Sequence, residues 1–321
     1  MKSFIMTINA LLIPSLLFGS EPNFTIHYPQ ETNNHSVVYL SAHGLGATQN
    51  QAQALLPDNN KYWIINKPLA VFDFPDAKPN HMEYDTKQVN LGQQADIDRF
   101  LYAYYKTCQL FPSHFKVVHG ISRGAVTAFN AAALNKLENI KALVLESPFD
   151  TFNNVVKHLL RRFHVGWIPF SRKLAIRYVK KTFPSFDING IFPLNVAHMM
   201  PIDVPILLIH GRLDRTIPLK SSCLIYCALL ENGNKNVYLL IVDEGDHGKL
   251  IAGPHGELIQ NVTHAFYKKQ NLPHDPIFAQ RGEAELKNCQ PSLQEMKKYM
   301  KKLKKLKKKI NKKNVEIFDL S

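Results

Sequence analysis

Short apolar runs alternate along this chain with longer stretches in which apolar residues recur every three or four positions. The runs are Phe24–Tyr28, Val37–Ser41, Leu69–Phe74, Phe115–His119, Ala142–Glu146, Ile206–His210 and Val237–Val242. Several are apolar almost throughout, as strands covered on both faces are. The helical patterns fall at Gln93–Cys108, Gly124–Leu137, Leu219–Leu230 and Gly256–Lys269. Such alternation predicts an α/β fold: a mostly parallel sheet with helices on both faces. The first runs are not separated by a helical pattern, so the sheet should begin antiparallel.

Three segments stand outside the alternation. Residues 151–200 separate two strand candidates and predict a cap over the carboxyl edge of the sheet. Leu159, Leu160, Phe163, Trp167 and Phe170 are expected to form the cap's apolar face. Residues 1–20 read as an export signal, with Lys2, an apolar stretch from Phe4 to Phe18, and small Gly19 and Ser20 at the end. Cleavage is expected, with an uncleaved anchor as the alternative. Residues 291–321 form a Lys-rich tail in which Met296, Tyr299, Leu303, Leu306 and Ile310 share one helical face. The folded domain is therefore expected to span 21–290.

Composition narrows the function classes. With 321 residues, 45% hydrophobic and 20% charged, the chain is an ordinary globular one. Four cysteines exclude a disulfide-built scaffold. Cys223 and Cys227, one helical turn apart, should pack as thiols; Cys108 and Cys289 are left open as a pair. The net charge of +13 is concentrated in the cap and in the tail, which alone carries 11 Lys. The tail is expected to meet an anionic membrane surface; the plainer alternative is a solubilising tail. Nucleic acid is not an expected partner, since no aromatic residue beyond Tyr299 is interleaved with the lysines. Asn23, Asn34 and Asn261 fit the glycosylation pattern, relevant only to a chain secreted by a eukaryote.

The sharpest chemical signal is Gly120-Ile121-Ser122-Arg123-Gly124, between a predicted strand and a predicted helix. A tight strand–turn–helix of this kind presents a strained serine as a nucleophile. A serine hydroxyl needs a base, and the base needs an orienting carboxylate. His247, in the loop after the last strand, is the candidate base; His255 is the runner-up. Asp214, in Gly211-Arg212-Leu213-Asp214-Arg215, is the candidate acid. A competing reading makes Asp214 a counter-ion for Arg212 or Arg215, and Asp150 is the alternative acid. His43-Gly44-Leu45-Gly46 follows a strand, so its backbone N–H groups can face a developing oxyanion, with the N–H of Arg123 as second donor. His43 itself is expected to be structural. No phosphate loop, G-x-G-x-x-G, H-E-x-x-H or paired C-x-x-C is present, so no cofactor and no metal are expected.

With these motifs in this order, the chain resembles the α/β-hydrolase superfamily over roughly residues 24–272. The resemblance rests on HGLG, GISRG, GRLDRTIP and GDHG. It implies an α/β-hydrolase fold with a helical cap insertion, Ser122 as nucleophile, Asp214 and His247 completing a triad, and Leu45 and Arg123 as oxyanion donors. Phe72-Asp73-Phe74-Pro75, Leu91-Gly92-Gln93 and Asp96 are similar to the serine aminopeptidase, lysophospholipase and prolyl-oligopeptidase-like branch. GISRGA departs from many prolyl-oligopeptidase relatives in lacking a second glycine after the elbow. The expected activity is a secreted or periplasmic serine hydrolase acting on an acyl ester, esterase or lysophospholipase-like. The alternatives are an exported serine peptidase and a non-catalytic binding protein on the same fold.

Overall fold

The computed structural model describes residues 23–28, 36–57, 61–78, 83–135, 137, 139–248 and 250–302. The segment 1–20 expected to be an export signal, Asn34, and Leu303, Leu306 and Ile310 of the tail lie outside the described residues.

Seven strands form one sheet: β1 (Phe24–His27), β2 (Val37–Ala42), β3 (Leu69–Phe72), β4 (Phe115–Ile121), β5 (Ile140–Glu146), β6 (Ile206–Gly211) and β7 (Val237–Val242). Their order is β1-β3-β2-β4-β5-β6-β7. Only the edge strand β1 is antiparallel, pairing Phe24 with Phe72. β2 and β3 are parallel neighbours. Their link contains a 3₁₀ turn at Gln49–Leu55, absent from the sequence reading, and is long enough to act as a crossover.

The strands are apolar throughout because both faces are covered. Leu40, Phe72, Val118, Leu143, Leu208 and Leu239 meet α1 (Gln94–Leu110), α2 (Arg123–Asn135) and α5 (Lys220–Glu231) on one face. Their sequence neighbours Tyr39, Val71, Val117, Val144, Leu207 and Leu240 meet α6 (Gly256–Lys269) on the other. This is the period-two alternation of a strand, with apolar residues required on both sides. Helix α7 (Pro276–Asn288) crosses α6 closely, and a side-chain carbon at Gly282 would stand 2.0 Å from the Asn261 carbonyl. Asn261 is thus held in a helix–helix contact with its side-chain oxygen buried, a poor acceptor for a glycan.

The start of the tail belongs to this core. After α7 the chain rounds the β7 edge, where the Leu239 amide donates to the Cys289 carbonyl at 2.7 Å. That covers an edge that would otherwise invite pairing with another chain. Ser292 and Glu295 then form a reciprocal capping box at the start of a helix, α8, over 293–302. Met296 is 2% exposed and packs in the α5 layer, with Leu293 and Tyr299 beside it. Lys297 pairs with Glu231 at 2.7 Å. The apolar stripe expected to serve a membrane is therefore occupied at its first two members by the protein itself. The boundary expected after residue 290 falls inside a packed segment.

None of the four cysteines, all among the described residues, is joined in a disulfide. Cys108 packs on the α1–α2 face of the sheet and Cys289 on the α6–α7 face, so the sheet stands between them. Burial pushes the Cys223 and Cys289 thiols up to about 12.

The cap expected at 151–200 contains α3 (Phe152–Arg162) and α4 (Ser171–Thr182). Its core is Phe152, Val155, Val156, Phe186 and Phe192, packed on Leu91, Val126 and Ile217 of the main domain. The expected apolar face divides. Leu159 and Leu160 pack on this core, whereas Phe163, Trp167 and Phe170 are exposed at the tip. α4 turns Ala175, Ile176 and Val179 inward, which leaves the tip aromatics no core to join.

Met296→Ala should destabilise the full chain by roughly 2–4 kcal/mol, because it removes a core side chain. Urea unfolding checks this, and an unchanged midpoint would mean that α8 is not part of the cooperative unit.

Candidate active site

The carboxyl ends of the parallel strands gather the predicted residues. Ser122 sits between β4 and α2 with φ of 54°, the left-handed region that a non-glycine residue rarely occupies. Its amide donates to the Glu146 carbonyl at 2.7 Å and its carbonyl accepts from Val126 at 3.1 Å. The flanking glycines permit this turn by proximity. A side-chain carbon at Gly124 would stand 2.0 Å from the Ala42 carbonyl oxygen, and one at Gly120 2.6 Å from the Ala125 Cα.

His247 Nε2 lies 3.0 Å from Ser122 Oγ, and His247 Nδ1 lies 2.7 Å from Asp214 Oδ2. Asp214 Oδ1 accepts from the amides of Thr216 and Ile217 at 2.8 and 2.7 Å. Burial alone would raise the Asp214 carboxyl, but hydrogen bonds from His210 and His247 outweigh it and hold the group well below the usual carboxylate range. An ionised Asp214 can only accept, so in the neutral imidazole Nδ1 carries the proton and Nε2 is bare toward the Ser122 hydroxyl.

The alternatives separate cleanly. Arg212 pairs with Asp243 through Nε at 2.7 Å, and Arg215 pairs with Asp246 through Nε at 2.5 Å, so neither needs Asp214. Asp150 binds Ser221 Oγ at 2.5 Å and Asn154, which makes it a buried tether between cap and domain. His255 stands at the start of α6, and His247 is the imidazole that meets Ser122.

Two supporting residues escaped the sequence reading. His210 is buried, with Nε2 3.1 Å from the Ile217 carbonyl and 3.4 Å from Asp214 Oδ2. A carbonyl can only accept, so Nε2 carries a proton, and Nδ1 meets the Ser222 hydroxyl at 2.7 Å. Asp246 ties the two loops, accepting from the amides of Arg215 at 3.0 Å and His247 at 2.8 Å. Further along, the Arg212 amide donates to the Val242 carbonyl and the Leu213 amide to the Gly245 carbonyl. The acid and base loops are thus zipped together. Adjacency of the ends of β6 and β7 in the sheet was the available signal for this.

The His43–Gly46 loop lies against Ser122: a side-chain carbon at Gly44 would stand 3.7 Å from Ser122 Cβ. The Gly44 amide is engaged by Gln51 Oε1 at 2.8 Å. Leu45, next along this loop, is exposed, and Arg123 opens α2 directly after Ser122. His43 is structural, as expected. Nε2 accepts from the Phe74 amide at 3.2 Å, Nδ1 meets the Gly44 carbonyl at 2.8 Å, and burial depresses its protonation.

Arg123 has a second role that its backbone gave no hint of. Its side chain is buried beneath the elbow, with Nε 2.7 Å from Asp96 Oδ2 and Nη2 2.5 Å from oxygens of both Asp96 and Asp76. The guanidinium lies 4.2 Å over the Phe74 ring. Burial opposes its charge, but the two carboxylates outweigh burial and keep it protonated. Asp96 also accepts from the Gly92 amide at 2.6 Å, and Gln93 binds the Asp187 backbone from both ends of its amide. One cluster therefore joins the elbow, α1 and the exit of the cap.

No protein-family model and no curated protein matches the chain. Solved structures do. An esterase of Pyrococcus furiosus is 18% identical with a TM-score of 0.55, covering 78% of this chain and 91% of that one. An acylaminoacyl peptidase of Pyrococcus horikoshii is 17% identical with a TM-score of 0.58 over 81% of this chain, which spans only 41% of the peptidase's length. A proline iminopeptidase of Mycobacterium smegmatis is 11% identical with a TM-score of 0.51, covering 77% of this chain and 95% of that one. The chain has the α/β-hydrolase fold.

Asp96→Ala leaves the buried Arg123 charge short of a partner and should cost about 3–5 kcal/mol. Chemical denaturation reads this directly, and a loss below about 1 kcal/mol would mean that the cluster is not structural. Glu146 offers a pH test. Burial raises its carboxyl from 4.5 to about 7, against the pull of His247. The folded state thus holds a proton that the unfolded state releases, so this group's contribution falls as pH rises between those values. Glu146→Gln should flatten that decline, matching the parent near pH 4 and exceeding it in stability at pH 8. Parallel pH profiles for the two proteins would contradict the assignment.

Proposed function

We propose that this protein is a serine hydrolase that cleaves a carboxylic ester, esterase or lysophospholipase-like, through an acyl-enzyme on Ser122. The observation that carries the reading is the continuous Ser122–His247–Asp214 hydrogen-bond chain on a strained elbow. Ser122 Oγ attacks the substrate carbonyl carbon while its proton passes to His247 Nε2. Asp214, ionised and fixed by two backbone amides, stabilises the imidazolium and holds its tautomer. The tetrahedral oxyanion meets the N–H of Arg123 and that of Leu45. Collapse expels the alkoxide, which takes the proton from His247. Water then repeats the sequence, releasing the acid and restoring Ser122.

Ser122→Ala should abolish labelling by a fluorophosphonate probe and lower kcat at least ~10³-fold on p-nitrophenyl esters while the fold persists. Retained turnover would exclude Ser122, and an unlabelled parent would favour a binding protein. Asp214→Asn should lower kcat by roughly 10⁴-fold through the wrong tautomer. Asp150→Asn should act mainly on stability, and the opposite ranking would move the acid to Asp150. Faster turnover of aminoacyl anilides than of esters would make the protein a peptidase.

A further inference from the structure

The cap tip presents a surface that neither the fold nor the Ser122 chemistry needs. Trp167 is 80% exposed, Phe170 70%, Tyr178 69%, Phe163 64% and Leu174 63%. On α4 this is ordered. Leu174 and Tyr178 follow at a four-residue step on one helical face, directly after Phe170 at the N-cap, while Ala175, Ile176 and Val179 pack inward. α4 thus has two apolar faces, only one of which meets protein, and none of its residues is fully buried. Exposed apolar groups this dense usually mark a contact surface.

Charge identifies the contact. Between Thr151 and Phe186 the chain has eight Lys and Arg and no Asp or Glu. Among the described residues, no cation of the cap pairs with a carboxylate: Arg162 donates to the Arg215 carbonyl at 2.9 Å and Arg172 to Asn153 Oδ1 at 3.0 Å. Lys173 and Arg177 flank the α4 stripe, and Lys173 lies 5.5 Å over the Phe170 ring. Aromatic rings among unpaired cations are what an anionic bilayer's interface accommodates: rings at headgroup depth, ammonium and guanidinium groups on phosphates. An acidic protein would satisfy the cations, yet it offers no reason for Trp167, Phe170, Tyr178 and Phe163 to stand largely in water. Backbone strain agrees. His164 and Phe170 both take left-handed φ, 55° and 63°, at the two ends of the tip loop. Phe170 is held in an unfavourable backbone state with its ring in water, an arrangement without benefit to the isolated fold.

We infer that the cap tip, centred on Trp167 and Phe170, docks the protein peripherally on anionic lipid. No described helix is long and apolar enough to cross a membrane, so the contact is interfacial. The end of α3 that leads into the tip is tied to the loop of the proposed site, because Arg162 holds the Arg215 carbonyl, and Arg215 holds Asp246 next to His247. Docking stands whether or not Ser122 turns over an ester, because it rests only on the cap surface.

The chain has two tryptophans, and Trp63 is packed against His264 and Phe278. The experiment uses the full chain, read as the difference between wild type and Trp167→Phe on vesicles of equimolar phosphatidylglycerol and phosphatidylcholine. The Trp167 emission should shift to the blue and be quenched by brominated acyl chains. The effect should be absent on pure phosphatidylcholine and fade with salt. Trp167→Ser with Phe170→Ser should lower vesicle partitioning at least about tenfold, with circular dichroism unchanged. Three results would overturn the inference. One is no partitioning at low salt. A second is partitioning with Trp167 still in water, which would shift the contact to the Lys-rich segment after residue 302. The third is a Trp167 shift without lipid that tracks dimer formation in sedimentation, which would make the tip a self-association surface.

Discussion

The buried ion cluster of Arg123 with Asp96 and Asp76 is the constraint on which the rest of the site depends. Arg123 directly follows Ser122, so whatever fixes its side chain fixes the entry to α2 and the frame of the elbow. Asp96 comes from the first turn of α1 and Asp76 from the loop after β3, both almost fully buried. Two carboxylates around one guanidinium leave no uncompensated positive charge inside the domain, and the Phe74 face takes the remaining side of the cation. Ions this deep are favourable only when all partners are in place, so the three segments must come together as one unit.

On that platform the Ser122–His247–Asp214 arrangement is a matter of strand ends. β4, β6 and β7 run parallel and finish at the same edge, delivering Ser122, Asp214 and His247 to one place from positions far apart in the chain. Each is then secured by backbone. Ser122 is held to β5 by the Glu146 carbonyl, Asp214 by two amides of its own turn, and His247 by Asp246 and the zipped loops. The left-handed conformation of Ser122 is tolerated because its amide and carbonyl are both bonded within it.

The two basic regions prove physically different. The tail's first apolar residues, Met296 and Tyr299, turn into the domain, and Tyr299 accepts the Arg212 guanidinium. The cap does the opposite, facing its aromatics outward. The difference lies in what each helix can reach: α8 lies along the α5 layer, where Met296 joins the core, whereas the cap's small core is already filled by Phe152, Phe186 and Phe192.

Much was legible in the chain itself. Near-continuous apolar runs mark strands buried on both faces, so all seven strands could be located, and G-x-S-x-G in a strand–turn–helix setting marks the elbow. Loops after the last strands identify Asp214 and His247, since parallel strands share an active edge. These are local patterns, each written within about ten consecutive residues. What tertiary structure alone decided depends on pairs distant in sequence. It assigned Asp150 to Ser221 rather than to the base, and gave Arg212 and Arg215 their own carboxylates. It added His210 behind Asp214 and buried the Arg123 side chain, and it separated Cys108 from Cys289 by the sheet. Phe163, Trp167 and Phe170 read as part of the cap's apolar face in one dimension because hydrophobicity states only a tendency to leave water. Whether a core has room for them is settled by packing, and in this cap the room was already taken.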